Sequence, residues 1–134
     1  MPNNKDAWLK RAEFSGQHGD DSTRIACLVS AVDTEPTNPG LVSEVAWQVC
    51  RYINDHLAEI PKARRGVYLA SIRSHMEKLS ESLDATGLSR LAWLFLLEDD
   101  QPNAWKYANE GCKKDSANGH CIKILERLDR AQMK

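Results

Sequence analysis

Short breaks rich in Gly, Pro, Asn and Asp recur along the 134-residue chain and separate segments whose apolar residues follow helical spacing. Apolar residues at i, i+3, i+4 and i+7 form one face of an α-helix, whereas a half-buried strand requires strict alternation. The breaks at Gly19-Asp20, Pro36-Thr37-Asn38 and Asp99-Asp100 can stop one helix and offer N-caps to the next. The pattern predicts six or seven helices joined by short turns, and therefore an all-α fold.

The composition fits a single folded domain. Hydrophobic residues make up 42% of the chain, and the longest apolar run, from Leu91 to Leu97, is far short of the about 20 residues that a membrane helix needs. The formal charge of −1 gives no general reason to expect a nucleic acid or a membrane surface as partner. The first residues lack the apolar run of a secretory signal, so we expect a cytoplasmic protein with reduced thiols.

Two stretches of the sequence share one template of small residues and turns. Small residues at matched positions of two helices let their backbones approach closely, and a short polar break supplies the turn between them. In the first stretch these features are Trp8, Ala12, Gly19-Asp20, Ala31 and Pro36-Thr37-Asn38. In the second they are Leu91-Ala92, Phe95, Asp99-Asp100, Ala104, Ala108, Gly111 and Asp115-Ser116-Ala117-Asn118.

This spacing resembles the tetratricopeptide repeat, a helix–turn–helix unit of about 34 residues. The resemblance covers residues 5–38 and 87–118, and we interpret residues 41–86 as a divergent or extended helix pair. Residues 119–133 are predicted to form a capping helix, such as a solenoid needs where its stacking stops. The family implies one domain over residues 1–134, a right-handed helical-hairpin solenoid of about three helix pairs plus a C-terminal capping helix. Another helix-pair solenoid or a plain bundle is the alternative.

The resemblance also implies a function. In tetratricopeptide arrays the first helix of each repeat lines a concave surface that receives a peptide or helix of another protein. Transferring that register gives these candidate partner-binding residues: Leu9, Glu13, Trp47, Arg51, Ser89, Trp93 and Leu96. Trp47 and Trp93 fall at equivalent positions, and Trp is enriched at interface hot spots, although core packing is the alternative for both. We expect a protein-interaction adaptor or scaffold, in which self-association is also possible.

Leu9 and Glu13 argue against one subfamily. Chaperone-tail receptors hold a C-terminal carboxylate with Lys and Asn on the inner face of the first repeat. This chain has Leu9 and Glu13 at those places, and Glu13 favours a ligand with a basic residue.

The common catalytic motifs are missing from the sequence. It contains no phosphate-binding loop, no His-Glu-x-x-His and no Gly-x-Ser-x-Gly. His120 and Cys121 could share a metal with Cys112, but a helix-start His beside a core Cys is the simpler interpretation. We therefore expect no enzymatic activity, no metal and no cofactor.

Lys62, Arg64, Arg65 and Arg73 form the main local concentration of positive charge. They suggest an alternative function, a nucleic-acid-binding helical array, although a solvated helix start is the simpler explanation. Cations are unfavourable at a helix N-terminus, and this conflict keeps the alternative open.

Overall fold

The computed structural model describes the backbone of residues 4–132 and the side chains of residues 4–130. Within that range the chain forms seven α-helices, one 3-10 turn (Ser80–Ser82) and no strand. The helices are α1 (Lys5–Gln17), α2 (Asp21–Thr34), α3 (Pro39–Asp55), α4 (Lys62–Lys78), α5 (Ala85–Leu97), α6 (Gln101–Lys114) and α7 (Gly119–Gln132). The predicted all-α class is confirmed. Met133, the predicted last residue of the final helix, lies outside the described residues.

Asn and Asp side chains begin six of these helices. Each accepts a hydrogen bond from a backbone N–H in the first turn of the helix that follows; the six residues are Asn4, Asp20, Asn38, Asp84, Asp100 and Asn118. Those backbone donors have no partner within the helix, so a capping oxygen satisfies a group that would otherwise be unpaired. The polar breaks in the sequence are therefore caps that set where each helix begins.

The helices pack as hairpins around an inner row. α1 packs along α2, α5 along α6, and the small residues Ala12, Ala31, Ala104, Ala108 and Gly111 are buried in these pairs. α3 contacts both α4 and α5, and α5 in turn contacts α7. We call α3, α5 and α7 the inner row, because α3 and α5 are the first helices of the second and third hairpins and contact each other, and α7 packs on α5 in the equivalent place. α1 joins the stack through α2, which packs on α3.

The middle pair differs in its bounds from the predicted 41–86. α3 ends at Asp55 and not near Ile60, where the sequence pattern placed its end. The His56 ring nitrogen Nδ1 lies 2.7 Å from the Tyr52 carbonyl oxygen, and Ile60 turns back into the core. α5 begins at Ala85, ahead of the predicted residue 87, because Asp84 caps it and Leu83 is buried beside the cap.

α5 lies at the centre of the fold. Nine of its 13 residues are buried, as expected for a helix that is apolar on nearly every side. One continuous core extends from Ala12 on α1 to Leu128 on α7 and includes α5 throughout. Among the described helices, none combines the length and apolarity needed to cross a lipid bilayer.

Candidate functional site

A cleft opens on the inner row between α3, α5 and α7, with a volume of about 330 Å³. We call it the main cleft because two Trp side chains line it; two other clefts, near Ser82 and Leu83, are larger at about 350 and 410 Å³ but have no aromatic lining. Its lining residues are Trp47 and Asn54 from α3; Thr86, Ser89, Arg90, Trp93 and Leu96 from α5; and His120, Lys123, Ile124 and Arg127 from α7. The α5 set and the α7 set each follow a spacing of three or four residues, so each helix presents one face to the cleft.

The aromatic part of the main cleft consists of Trp47 and Trp93. Both side chains are half-buried, and both line the cleft from neighbouring helices. The Arg51 guanidinium lies over the Trp47 ring, 5.3 Å from its centroid, a cation–π contact that restricts the ring. Leu96 and Ile124 add half-buried aliphatic surface. The cleft therefore offers a ligand a substantial apolar contact.

The charged part of the main cleft is positive. Arg90, Lys123 and Arg127 line it, and no Asp or Glu is among its lining residues. Arg90 donates to the Ser43 hydroxyl at 3.0 Å, and its nearest carboxylate oxygen, on Glu44, is 3.8 Å away. Lys123 and Arg127 are exposed, and among the described side chains no carboxylate lies within 4.0 Å of either. The positive charge of the cleft is thus mostly uncompensated.

A second, smaller cleft of about 160 Å³ adjoins the first, and Trp47 lines both. Its charges are balanced. Arg24 pairs with Asp21 at 3.4 Å, and Arg51 pairs with Asp55 at 3.9 Å. Trp47 therefore separates a positive cleft from one with no excess charge.

The structure brings together four of the seven candidate partner-binding residues. Trp47, Ser89, Trp93 and Leu96 line the main cleft, and Arg51 lines the second cleft beside Trp47. The other two are on α1: Leu9 packs partly buried against the core, and Glu13 is exposed. Neither is among the lining residues of these two clefts.

Sequence reasoning missed the contribution of α7. That helix was predicted only as a cap, yet His120, Lys123, Ile124 and Arg127 form one wall of the main cleft. The signal was present, because these four positions repeat at helical spacing on a helix that follows a complete repeat. Extending the template by one further helix would have placed them on the inner row.

The basic cluster on α4 is engaged with the C-terminal end of α5. Lys62 Nζ lies 2.6 Å from Asp99 Oδ2, and Arg73 pairs with Glu98. Arg65 Nη1 donates to the Leu97 carbonyl oxygen at 3.2 Å. Cations are unfavourable at the N-terminal end of a helix and favourable at its C-terminal end. The nearby C-terminal end of α5 therefore accounts for the cations at the start of α4.

The contact between Lys62 and Asp99 also changes the titration of the Asp99 carboxyl. The Lys62 ammonium donates to Asp99 and lowers the pKa of that carboxyl below its ordinary value. Arg64, the fourth member of the cluster, is exposed. The bonds of the other three account for most of the cluster's charge without a nucleic acid.

Cys121 is a core residue. Its thiol is buried and donates to the Ala85 carbonyl oxygen at 3.3 Å. Burial raises the pKa of Cys121 to about 11, which disfavours the thiolate that a metal ligand requires. Among the described residues, no group of three or more His, Cys, Asp or Glu side chains has the arrangement of a metal site.

A stack of helical hairpins with an open cleft on its inner row is a tetratricopeptide-repeat-like fold, as the sequence spacing predicted. The structure is similar to one described as the first tetratricopeptide repeat of Spaghetti (RPAP3) bound to the HSP90 peptide SRMEEVD. The match has a TM-score of 0.63 and 16% sequence identity, and it covers 98% of this chain and 97% of the other. At that identity the likeness establishes the fold alone. No protein-family model and no curated protein sequence matches the chain.

Proposed function

We propose that the chain is a protein-interaction module that binds a segment of a partner protein in the main cleft. The observation that carries this proposal is the presence of Trp47 and Trp93 in one open cleft between three inner-row helices. A Trp side chain has a large apolar surface at low entropic cost, and half-exposed Trp residues are frequent anchors of binding energy.

The chemistry of the cleft suits an apolar anchor residue. Trp47, Trp93, Leu96 and Ile124 can surround an aliphatic or aromatic side chain of the partner. Ser89 lines the cleft, but its hydroxyl proton is not free to bind a ligand, because Oγ donates to the Thr86 carbonyl oxygen at 2.6 Å. The ligand's anchor would therefore displace water from an apolar surface, which is the main favourable term in association.

The similar structure supports a partner of this class, since that protein was solved with a bound peptide of another protein. In our proposal the present chain acts in the same general way, as a cytoplasmic adaptor or scaffold without catalysis. Glu13 and Leu9 on α1 would contact only a ligand long enough to extend beyond the second cleft.

A peptide-display library tests the proposal, followed by affinity measurements on the selected peptides. Trp47→Ala and Trp93→Leu are each expected to weaken binding about tenfold or more, a loss of about 1.4 kcal/mol or more. Trp105→Ala is the matched control, because that side chain is 47% exposed on α6 and does not line the cleft. Circular dichroism checks that all three variants keep their helices.

The proposal fails if no peptide is selected at any flanking composition. It also fails if the selected peptides bind both cleft variants as tightly as they bind the unmodified chain. Equal losses in all three variants would indicate a general loss of folding and not a binding role for the cleft.

A further inference from the structure

We propose that the main cleft selects an acidic segment of its partner, in which Asp or Glu side chains flank the apolar anchor. This inference rests on the proposed function and specifies its ligand. The charges around the two tryptophans carry it.

Three cations surround the apolar part of the main cleft. Lys123 and Arg127 are one helical turn apart on α7, and Arg90 lies on α5. All three line the cleft together with Trp93, so a residue bound between the tryptophans has positive charge beside it. No Asp or Glu lines the cleft, and Glu44, 3.8 Å from Arg90, is the one carboxylate among the described side chains that lies within 4.0 Å of any of the three cations.

The positive cleft contrasts with the second cleft beside it, where each Arg has a carboxylate partner. Arg24 pairs with Asp21 at 3.4 Å, and Arg51 pairs with Asp55 at 3.9 Å. The whole sequence has a formal charge of −1, so the positive charge of the main cleft does not reflect the charge of the chain as a whole. A local field of this kind attracts and orients a ligand of opposite charge and rejects one of like charge.

The arrangement favours acidic side chains over a single terminal carboxylate. Lys123 and Arg127 follow one another along α7, while Arg90 approaches from α5. Cations distributed over two helices match several carboxylates in series, whereas one terminal carboxylate, with two acceptor oxygens, would pair with only part of this set.

The arrangement also favours a peptide over a nucleic acid. Binding to a nucleic acid rests on Lys and Arg contacts to successive phosphates along the strand, and the cleft offers three such cations beside an apolar surface. Leu96 and Ile124 are aliphatic surface suited to a Leu, Ile or Phe anchor. An acidic peptide segment with one apolar residue satisfies both parts of the lining.

The test uses an array of peptides with a central Leu, Phe or Trp and flanking positions drawn from Glu, Gln and Lys, each made with an amidated and with a free C-terminus. We expect the strongest binders to carry Glu at two or more flanking positions and to bind about tenfold or more tighter than their Gln counterparts. The double variant Lys123→Glu, Arg127→Glu should reverse the preference towards Lys.

The control is the double variant Lys113→Glu, Arg130→Glu, which makes the same charge change at two exposed residues outside the cleft. It is expected to keep the preference for Glu. If it reverses the preference as fully as the cleft variant does, the selectivity comes from overall charge and the inference is wrong.

Other outcomes separate this inference from the proposed function. Binders that need Trp47 but prefer Gln or Lys would overturn the acidic preference and leave the interaction module standing. Tight binding only of peptides with a free C-terminal carboxylate would overturn it in favour of a terminal clamp. A twelve-nucleotide oligo-dT that outcompetes the best peptide at this cleft would overturn both.

Discussion

Gly111 on α6 lies directly against the sulfur of Cys121 on α7, so that a Cβ added to Gly111 would be 2.3 Å from Cys121 Sγ. The same Cβ would be 3.3 Å from the Ala85 carbonyl oxygen, which places α5 at this contact too. The three helices therefore meet where only a hydrogen fits. Because α7 is one wall of the main cleft, this contact sets how close that wall stands to α5.

We expect Gly111→Ala to destabilise the chain by about 1–3 kcal/mol, because overpacking forces α7 away from α6. The loss occurs even though Ala has a helix propensity about 1 kcal/mol better than Gly. Gly66→Ala on α4 is the control, since a Cβ added there would lie 3.8 Å from Glu98 Oε1, an ordinary van der Waals contact. Urea unfolding should show a gain for Gly66→Ala and a loss for Gly111→Ala.

Adding Cys121→Ala to Gly111→Ala should recover most of the steric part of that loss, since only the sulfur lies closer than 3.0 Å to the added carbon. A double-mutant cycle measures this coupling directly. Additive effects of the two substitutions would show that the close approach is not the cause.

The Arg73–Glu98 pair is expected to stabilise the contact between α4 and α5. The two side chains are 29% and 15% exposed, so the pair is partly shielded from water. Arg73→Met should cost about 1.5–3 kcal/mol, the range for hydrogen bonds to charged groups. Arg64→Met, an exposed position on the same helix, should stay within about 0.5 kcal/mol of the parent. Equal unfolding free energies for the two variants would contradict the assignment.

The Lys62–Asp99 contact predicts a pH effect. The pKa of the Asp99 carboxyl is lowered in the folded chain, first by the hydrogen bond from Lys62 and then by its charge. A carboxyl of this kind stabilises the fold above its unfolded pKa, and the contribution is lost as the pH falls through the folded pKa.

Asp99→Asn should therefore reduce the loss of stability on acidification between about pH 5 and pH 2. Asn is the suitable replacement, since residue 99 has a φ of 63° and Asn tolerates that conformation better than most residues do. Urea midpoints measured against pH test this expectation. Parallel curves for the two proteins would mean that the contact does not form in solution.

The four thiols should differ in reactivity. Cys112 is half-buried, whereas Cys27, Cys50 and Cys121 are buried. Burial raises the pKa of Cys121 from 9.0 to about 11 and that of Cys50 well above its ordinary value. Since the thiolate is the nucleophile, alkylation at about pH 8 should modify Cys112 first and the other three only on opening. Peptide mass spectrometry measures the order, and Cys121 modified as fast as Cys112 would contradict the packing of α7.

The helices could be predicted from the sequence because their limits are local. Asp20, Asn38 and Asp100 are capping residues by type, and each accepts the bond that its position predicts. The end of α3 could not be predicted in this way. Leu57-Ala58-Glu59 suits a helix, and the stop depends on the burial of Ile60, which is a tertiary contact.

The residues of the candidate site likewise fall into those that the sequence predicts and those that depend on tertiary contacts. Trp47 and Trp93 follow from the repeat register, which is periodic and local. Arg90 gives no local signal, because it joins the main cleft only when α3 and α7 flank α5. The basic cluster on α4 suggested a nucleic-acid-binding alternative from sequence, because its partners Glu98 and Asp99, just after α5, are distant along the chain.

The position of α7 makes it a natural reporter of occupancy. A ligand that bridges Arg90 to Lys123 and Arg127 adds contacts to a helix that, among the described elements, packs chiefly on α5 and α6. Amide hydrogen exchange in α7 would then slow on binding, while exchange in the distant α1 would stay unchanged. Because the ligand binds only when α7 is folded against α5, the gain in local stability of α7 and the affinity for the partner are thermodynamically linked.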